Sequence, residues 1–271
     1  MGLPSFSVVI PAFNEEASIE AVLTRVLTHV GTLRSRYDVD VVVVDDGSSD
    51  GTLDTLHHVS VDNPESLTVV AHERNAGLTA AMRSGALAAR SGTVVFLDAD
   101  LSYSPEILEA LVRARTDAGA AAALASPYMN GGYVANVPPV RLLASRVANA
   151  ILTRCARGRL HTFTGMVRAY DRAEFLALGE RTPVGEFNTW AVAELLAGGA
   201  RVVEIPAGLV WPKERTSAPS RLTMGKLWER TLLVVKTARF LAAAVREGDR
   251  NRGPGTLVLS NQTTGPCSPK P

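Results

Sequence analysis

Thr93-Val-Val-Phe-Leu-Asp-Ala-Asp100 decides how the rest of this chain is read. A mostly apolar, partly β-branched run passes straight into an acidic pair, Asp98 and Asp100. Such a run reads as a buried strand with the acids at its carboxyl end. In an open α/β sheet, ligands bind outside the carboxyl ends of the strands. Two carboxylates on alternate residues there are costly to desolvate unless a cation or hydrogen-bond donors meet them. Oxygen ligands around a Mg2+ or Mn2+ that also touches a diphosphate would serve. The plainer alternative has Asp98 capping the next helix and Asp100 in water. Asp-x-Asp is a common pattern, so the surrounding segments must decide.

Upstream, Phe6-Ser-Val-Val-Ile-Pro11 reads as a first strand, ended by a proline that cannot donate to a ladder. Ala12-Phe-Asn-Glu-Glu16 follows as a loop, and a helix is expected over 15–33, with Ile19, Val22, Leu23, Val26, Leu27 and Val30 on one face. A second strand over 39–44 ends in Asp45-Asp46-Gly47-Ser48-Ser49-Asp50-Gly51-Thr52, a turn in which Asp50 is placed to cap a helix over 52–61. A third strand over 67–71 leads through Asn75-Ala76-Gly77 into a helix over 78–89. Downstream of the acidic pair, Ser104-Pro105 starts another helix, and 120–125 reads as a fifth strand. Strand and helix alternate with short links, which implies an α/β fold with a parallel sheet covered by helices on both faces.

The second half departs from that alternation. It carries a helix over 140–154, an extended segment over 162–170, a helix over 188–197 and a strand over 201–205. A long, broadly apolar helix over 222–246 interleaves Leu227, Trp228, Leu232, Leu233, Val235, Phe240 and Leu241 with Lys226, Arg230, Lys236 and Arg239. It reads as a core helix packed on the sheet or as a basic helix lying in a bilayer interface, and one helix could do both. From 248 the composition turns to Gly, Pro, Asn, Ser and Thr, as in a disordered tail. The expected organisation is a domain over 1–221, an amphipathic helix over 222–247 and a tail over 248–271.

Composition bounds the function. Of 271 residues, 46% are apolar and 20% charged, enough for a sizeable core, and a net charge of +1 gives no global field for nucleic acid. Cys155 and Cys267 stand far apart, as free thiols of a reducing compartment would. Neither a signal-peptide pattern nor an uncharged apolar run of roughly 18 residues occurs. A cytoplasmic protein is expected, with peripheral contact on the cytoplasmic face of a membrane as the other option. No G-x-G-x-x-G follows the first strand and no Walker lysine loop is present, which counts against NAD and ATP folds. Phosphate charge would then be met by metal and arginines. The five histidines are scattered. Arg146, Arg154, Arg157 and Arg159 flank one helix, either as a solvated face or as contacts to lipid phosphate.

Val9-Ile-Pro-Ala-Phe-Asn-Glu15, Val43-Val-Asp-Asp-Gly-Ser-Ser-Asp-Gly-Thr52, Asn75-x-Gly77 and Leu97-Asp-Ala-Asp-Leu101 resemble, in order, the motifs of family 2 glycosyltransferases of GT-A fold. Ser126-Pro-Tyr-Met-Asn-Gly-Gly-Tyr-Val134, Arg141 and Thr164-Gly-Met-Val-Arg-Ala-Tyr170 are similar to the dolichol-phosphate mannosyltransferase branch. The resemblance implies a nucleoside pocket lined by Pro11, Phe13 and Glu15 and closed by Val44 and Asp46. It implies that Asp98, Ala99 and Asp100 hold a sugar diphosphate, with Asp98, Asp100 and Ser102 around Mg2+ or Mn2+. Arg141, Arg215 and Arg221 would meet the donor and acceptor phosphates, which suits bidentate guanidinium chemistry. Asp100 and Arg141 are the expected catalytic groups.

This sequence departs from the pattern at four places. Ser102 stands where the family has a glutamine-like ligand, Ser126-Pro-Tyr128 replaces Gly-Ser-Arg, and Thr164-Gly-Met-Val-Arg168 replaces Ser-Gly-Phe-Arg. An acid is expected on the helix after Phe187, where Trp190 or Glu194 falls. The implied activity is inverting transfer of a sugar, mannose first, from GDP-mannose or a UDP-sugar to a polyprenyl phosphate. Transfer to a hydroxyl of a small soluble acceptor and non-catalytic nucleotide-sugar binding are the alternatives.

Overall fold

The computed structural model describes residues 2–179, 187–212 and 224–251. Its first half alternates as expected: β1 (Ser5–Ala12), α1 (Ile19–Leu33), β2 (Asp38–Asp45), α2 (Thr52–Asp62), β3 (Leu67–Ala71), α3 (Leu78–Ala88), β4 (Thr93–Phe96) and α4 (Ile107–Asp117). Its second half holds β5 (Ala122–Ser126), β6 (Tyr133–Ala135), α5 (Pro139–Cys155), β7 (Arg168–Asp171) and α6 (Arg172–Gly179). Then come α7 (Phe187–Ala197), β8 (Val202–Pro206), β9 (Gly208–Val210) and α8 (Met224–Asn251).

The main sheet has the order β3-β2-β1-β4-β7-β5-β8. It is parallel except at β7, which runs antiparallel to both β4 and β5. Alternate side chains of each strand feed opposite faces. Phe6, Val8 and Ile10 of β1 and Val41 and Val43 of β2 pack under α1, α2 and α4. Val9 of β1, Val42 and Val44 of β2 and Val94 and Phe96 of β4 pack under α3 and the helices α5 to α8. Burial on both faces is why these strands are largely apolar rather than alternating, with buried Ser7 donating to Asp40 Oδ1 at 2.7 Å as the exception between β1 and β2. Pro11 does not end β1, which continues to Ala12 with Pro11 opposite Val44. Ladder pairing to β4 stops at Val9 opposite Phe96, so the missing proline N–H falls where that ladder has ended.

The approach of α3 to the sheet rests on one glycine. A Cβ on Gly85 would stand 2.2 Å from Val9 Cγ1 and 3.1 Å from Val44 Cγ2. Gly85→Ala is expected to lower stability by about 1–3 kcal/mol through overpacking, despite alanine's better helix propensity. Urea denaturation checks this, and an equal or raised midpoint with unchanged slope contradicts it.

Several expectations shift. The extended segment over 162–170 becomes strand only from Arg168. The short helix α6 and the two-stranded sheet of β6 and β9 were not foreseen. The last helix runs through Gly248 to Asn251, past the expected start of the tail, and the remaining tail residues 252–271 lie outside the described residues. Of the two options for this helix, packing holds for one face only, since Leu232 and Val235 are 41% and 40% exposed. Thr237 and Leu241 are fully buried, and Phe240 stacks on Trp190 of α7 with ring centroids 4.8 Å apart. Among the described residues no helix is long and apolar enough to cross a membrane.

Candidate active site

From β1 the chain moves to β2 and β3 on one side and returns on the other as β4. Strand order therefore reverses between β1 and β4, and such a switch point opens a crevice beyond the carboxyl ends of its strands. The loops bordering it are 13–18 after β1 and 97–104 after β4. Each contains a non-glycine residue in the left-handed region, Asn14 at φ 54° and Leu101 at φ 49°. For a bulky residue such as Leu101 this is an uncommon backbone state, of the kind that clusters at functional turns.

Asp98 and Asp100 lie just beyond β4, both partly exposed. The Leu101 N–H donates to the Asp98 carbonyl at 3.1 Å and closes the turn. Asp100 Oδ1 accepts from the Ser102 N–H at 2.9 Å and from its hydroxyl at 2.5 Å. Ser102, expected as a weak metal ligand, thus braces Asp100. Ala99 is buried against the core. Beneath this loop Tyr103 is 2% exposed, and its hydroxyl has no hydrogen-bond partner among the described residues. Burial, with the Asp98 carboxylate next, pushes the Tyr103 phenol well above the usual tyrosine range, so it stays protonated and a donor. Nothing in the sequence pattern singled Tyr103 out.

The β1 and β2 loops are stitched together. The Asn14 N–H donates to Ser48 Oγ at 2.9 Å, the Ser49 N–H to Asn14 Oδ1 at 2.8 Å, and the Glu15 N–H to Thr52 Oγ1 at 2.9 Å. The Ser18 hydroxyl donates to Glu15 Oε2 at 3.0 Å. Gly47, at φ 68°, lies so close to Arg74 that a Cβ would stand 2.3 Å from its carbonyl carbon, so the β2 and β3 loops touch through backbone. Phe13 is 44% exposed, as a ring available to stack on a base would be. Pro11 is partly buried, and the Val44 side chain is fully buried in the core under α3. Gly51, not Asp50, occupies the N-cap of α2; Asp50 stands one residue earlier and takes the Thr52 N–H at 3.0 Å and its hydroxyl at 2.5 Å.

Asp46 is placed differently from the expectation of a carboxylate facing base or ribose. Its Oδ1 meets His72 Nδ1 at 2.8 Å and the Ala76 N–H at 2.9 Å, and its Oδ2 takes the Gly77 N–H at 2.8 Å. His72 Nε2 continues to Ser84 Oγ at 2.8 Å. Asp46 therefore organises the loop that opens α3. Its neighbour Asp45 is 1% exposed and leaves Oδ1 without a hydrogen-bond partner among the described residues. The partners of His72 are 26 and 12 residues away in sequence, so no local pattern marks it.

The arginine side of the crevice is built by α5 and the small sheet. Arg141 stacks on Trp211, its Cζ 4.9 Å from the ring centroid. The Trp211 N–H donates to the Ala135 carbonyl at 2.9 Å, and the Val210 N–H to the Ser102 carbonyl at 2.8 Å. One short backbone path therefore joins the arginine's support to the acidic loop. One turn further along α5, Ser145 accepts from the Tyr128 hydroxyl at 2.8 Å, so Tyr128 braces the helix. Arg168 is a buried strut. It is 0% exposed and donates to the carbonyls of Asn188 at 2.5 Å and Phe163 at 2.6 Å. Trp190 belongs to the packing of α7, and Glu194 lies half-buried on that helix. Arg215 and Arg221 lie outside the described residues.

A divalent cation fits this donor set. Asp98 and Asp100 offer hard oxygen atoms at the mouth of the crevice, where water has access, and the turn between them is fixed by hydrogen bonds. Among the described residues they join no group of three or more His, Cys, Asp or Glu side chains, so diphosphate oxygens and water would complete the shell.

The model of the glycosyl transferase family 2 domain matches residues 7–178. The chain belongs to that family. This family 2 chain is 36% identical over 168 residues to a polyprenol monophosphomannose synthase of Mycolicibacterium smegmatis, covering 61% of each. It is 31% identical over 204 residues to a dolichol-phosphate mannosyltransferase of Pyrococcus furiosus, covering 74% of this chain and 55% of that protein. It thus spans less than two thirds of these curated relatives' lengths. Among solved structures it superposes on a mannosyltransferase of Pyrobaculum calidifontis in complex with GDP-Man and Mn2+ with a TM-score of 0.56 at 19% identity, covering 93% of this chain and 77% of that one. A glucosyl-3-phosphoglycerate synthase of Mycobacterium tuberculosis, crystallised with Mn2+ and UDP, gives the same TM-score at 21% identity, covering 84% of this chain and 78% of that one. The fold is the GT-A fold, with a mostly parallel sheet flanked by helices.

Proposed function

We propose that this family 2 glycosyltransferase moves a sugar, mannose first, from a nucleotide-diphosphate sugar such as GDP-mannose or a UDP-sugar to a polyprenyl phosphate, with inversion at the anomeric carbon. The observation that carries the reading is Arg141 stacked on Trp211 and linked through Val210 to the loop of Asp98 and Asp100. Similarity to a polyprenol monophosphomannose synthase and to a dolichol-phosphate mannosyltransferase supports it. A phosphate oxygen of the acceptor forms the bond to the anomeric carbon as the bond from that carbon to the diphosphate breaks. The nucleoside diphosphate leaves. Asp98 and Asp100 would hold the Mg2+ or Mn2+ that offsets charge on the leaving diphosphate when bound. Phe13 and Glu15 border the nucleoside, and the left-handed turn at Leu101 presents the acids. Arg141 offsets the charge of the incoming phosphate, and Arg215 and Arg221 add to that charge. Tyr103, protonated beneath the loop, keeps a hydrogen-bond donor under the acids.

A panel of GDP-mannose, UDP-glucose and UDP-aminosugars, each with a polyprenyl phosphate and Mn2+, tests the reading. The expected product is an organic-extractable sugar phosphate lipid with one donor. Transfer only to a soluble hydroxyl acceptor, or no turnover and no donor hydrolysis with any donor, overturns it.

A further inference from the structure

The acidic loop ends in two hydroxyl residues with different surroundings. Ser102 braces Asp100 with both its N–H and its hydroxyl. Tyr103 is buried beneath the loop, in the same core cluster as Leu97 and Ala99. Its hydroxyl has no hydrogen-bond partner among the described residues. Buried hydroxyls are nearly always paired, because a donor stripped of water and left unmatched opposes folding. Phenylalanine would fill the same space without that cost. A hydroxyl kept in such a place calls for an acceptor that another state of the loop provides.

Its surroundings narrow that acceptor. The phenol reaches across to the segment before β7, where a Cβ on Gly165 would stand 3.7 Å from its oxygen and 3.5 Å from Thr162 Cγ2. Thr162 Oγ1 is already paired with Ser126 Oγ at 2.7 Å. The ionisable side chains that act on the phenol are Asp98, Tyr128 and Arg168. Arg168 has only donors. Tyr128 is neutral and gives its own proton to Ser145 Oγ at 2.8 Å. Asp98 is the one carboxylate of the three, and it lies in the same loop as Tyr103. A hydroxyl that donates to a carboxylate makes the stronger, charge-assisted bond.

We propose that Tyr103 is a positioning residue for Asp98. With one Asp98 oxygen on the divalent cation, the Tyr103 hydroxyl donates to the other oxygen and fixes the direction of the carboxylate. Carboxylates that ligate metals are themselves held by such hydrogen bonds. Each acid of the pair then has its own brace from the end of the loop, Ser102 for Asp100 and Tyr103 for Asp98. The Ser102 bonds are present in this structure, whereas the Tyr103 bond forms with the cation. Metal binding is therefore the step at which the unmatched donor is satisfied. The proposal rests on the metal reading of Asp98 and Asp100 and on no particular acceptor.

The test compares Mn2+ binding by the full chain and by its Tyr103→Phe variant. Binding is followed by the electron paramagnetic resonance of free Mn2+, alongside thermal melts with and without the ion. Tyr103→Phe keeps the ring and removes the donor. Without metal it is expected to melt at or above the wild-type temperature, since it loses an unmatched buried hydroxyl. Its Mn2+ dissociation constant is expected to rise at least about tenfold, the scale of losing a hydrogen bond to a metal-ligating group. Adding Mn2+ to wild type should also move tyrosine absorbance to the red, as donation to a carboxylate does, and the variant should lack that shift. A tyrosine that serves only packing predicts neither effect. Equal Mn2+ affinity in the two proteins overturns the proposal, and so does a metal-free variant that melts below wild type. Wild type without saturable Mn2+ binding overturns the metal reading and this role with it. None of these measurements uses an acceptor. A failed acceptor panel together with weakened Mn2+ binding in Tyr103→Phe therefore removes the polyprenyl-phosphate reading and leaves the role of Tyr103 standing.

Discussion

Asp100→Asn is expected to lower kcat/KM by roughly 10²-fold or more while leaving the fold in place, as loss of a main electrostatic stabiliser does. The separation of the two effects follows from the local geometry. Asp100 Oδ1 accepts from the N–H and the hydroxyl of Ser102, and the amide oxygen of asparagine can accept both. The turn through Leu101 should therefore persist, and with it the thermal midpoint. What asparagine lacks is the negative charge that a hard divalent cation requires of its ligand. The Mn2+ concentration for half-maximal rate should rise along with the loss of turnover. Circular dichroism, thermal melts and a metal titration of both proteins make the comparison. Wild-type turnover in Asp100→Asn, or full activity of wild type with the metal chelated, removes the role.

The acidic loop was legible because β1, β2 and β4 are each covered on both faces. Val8, Val9 and Ile10 are all 0% exposed, so the second half of their strand is an apolar run that stops where the sheet ends. Acids that follow such a run are conspicuous. The second half lacks this contrast. Strand β7 is four residues of Arg-Ala-Tyr-Asp, its first three buried although the first is a charged side chain that donates to carbonyls 5 and 20 residues away. Strands β6 and β9 are three residues each, and they pair across more than seventy residues of chain. No local pattern encodes such pairings. Periodicity also reports an apolar face without reporting what that face meets. Within α5 and within α8 the apolar positions recur at helical spacing, yet Leu152 and Leu241 are buried while Leu143, Leu232 and Val235 are exposed. Asp46 shows the same limit among polar residues. Its sequence context marks a loop beyond a strand, but its oxygens face the Ala76 and Gly77 amides of a segment 30 residues on.

The acceptor is tested most sharply by two residues that hydroxyl and phosphate chemistry use differently. Transfer to a sugar hydroxyl needs a carboxylate to take its proton as attack begins. A phosphate monoester has a second pKa of about 6 and is largely dianionic at neutral pH, so it attacks without a base. What it needs is positive charge against its own and the donor's. Glu194 is the acid that falls on the helix after Phe187, α7, whose Trp190 and Phe187 serve packing. Arg141 is held by the Trp211 ring, which is tied through Val210 to the acidic loop. Glu194→Gln is therefore expected to keep most of its transfer activity. Arg141→Ala is expected to lose roughly 10²-fold, the scale of one charged hydrogen-bonding contact made in the transition state. Arg141→Lys should fall between them, since it keeps the charge but gives up the planar stacking on Trp211 and the bidentate contact. The acceptor-dependent rate should rise as pH passes through about 6 and then level, following formation of the dianion. A phosphorylated polyprenol should be glycosylated and its alcohol should not. An inactive but folded Glu194→Gln, together with an alcohol that serves as well as the phosphate, would make the enzyme hydroxyl-directed.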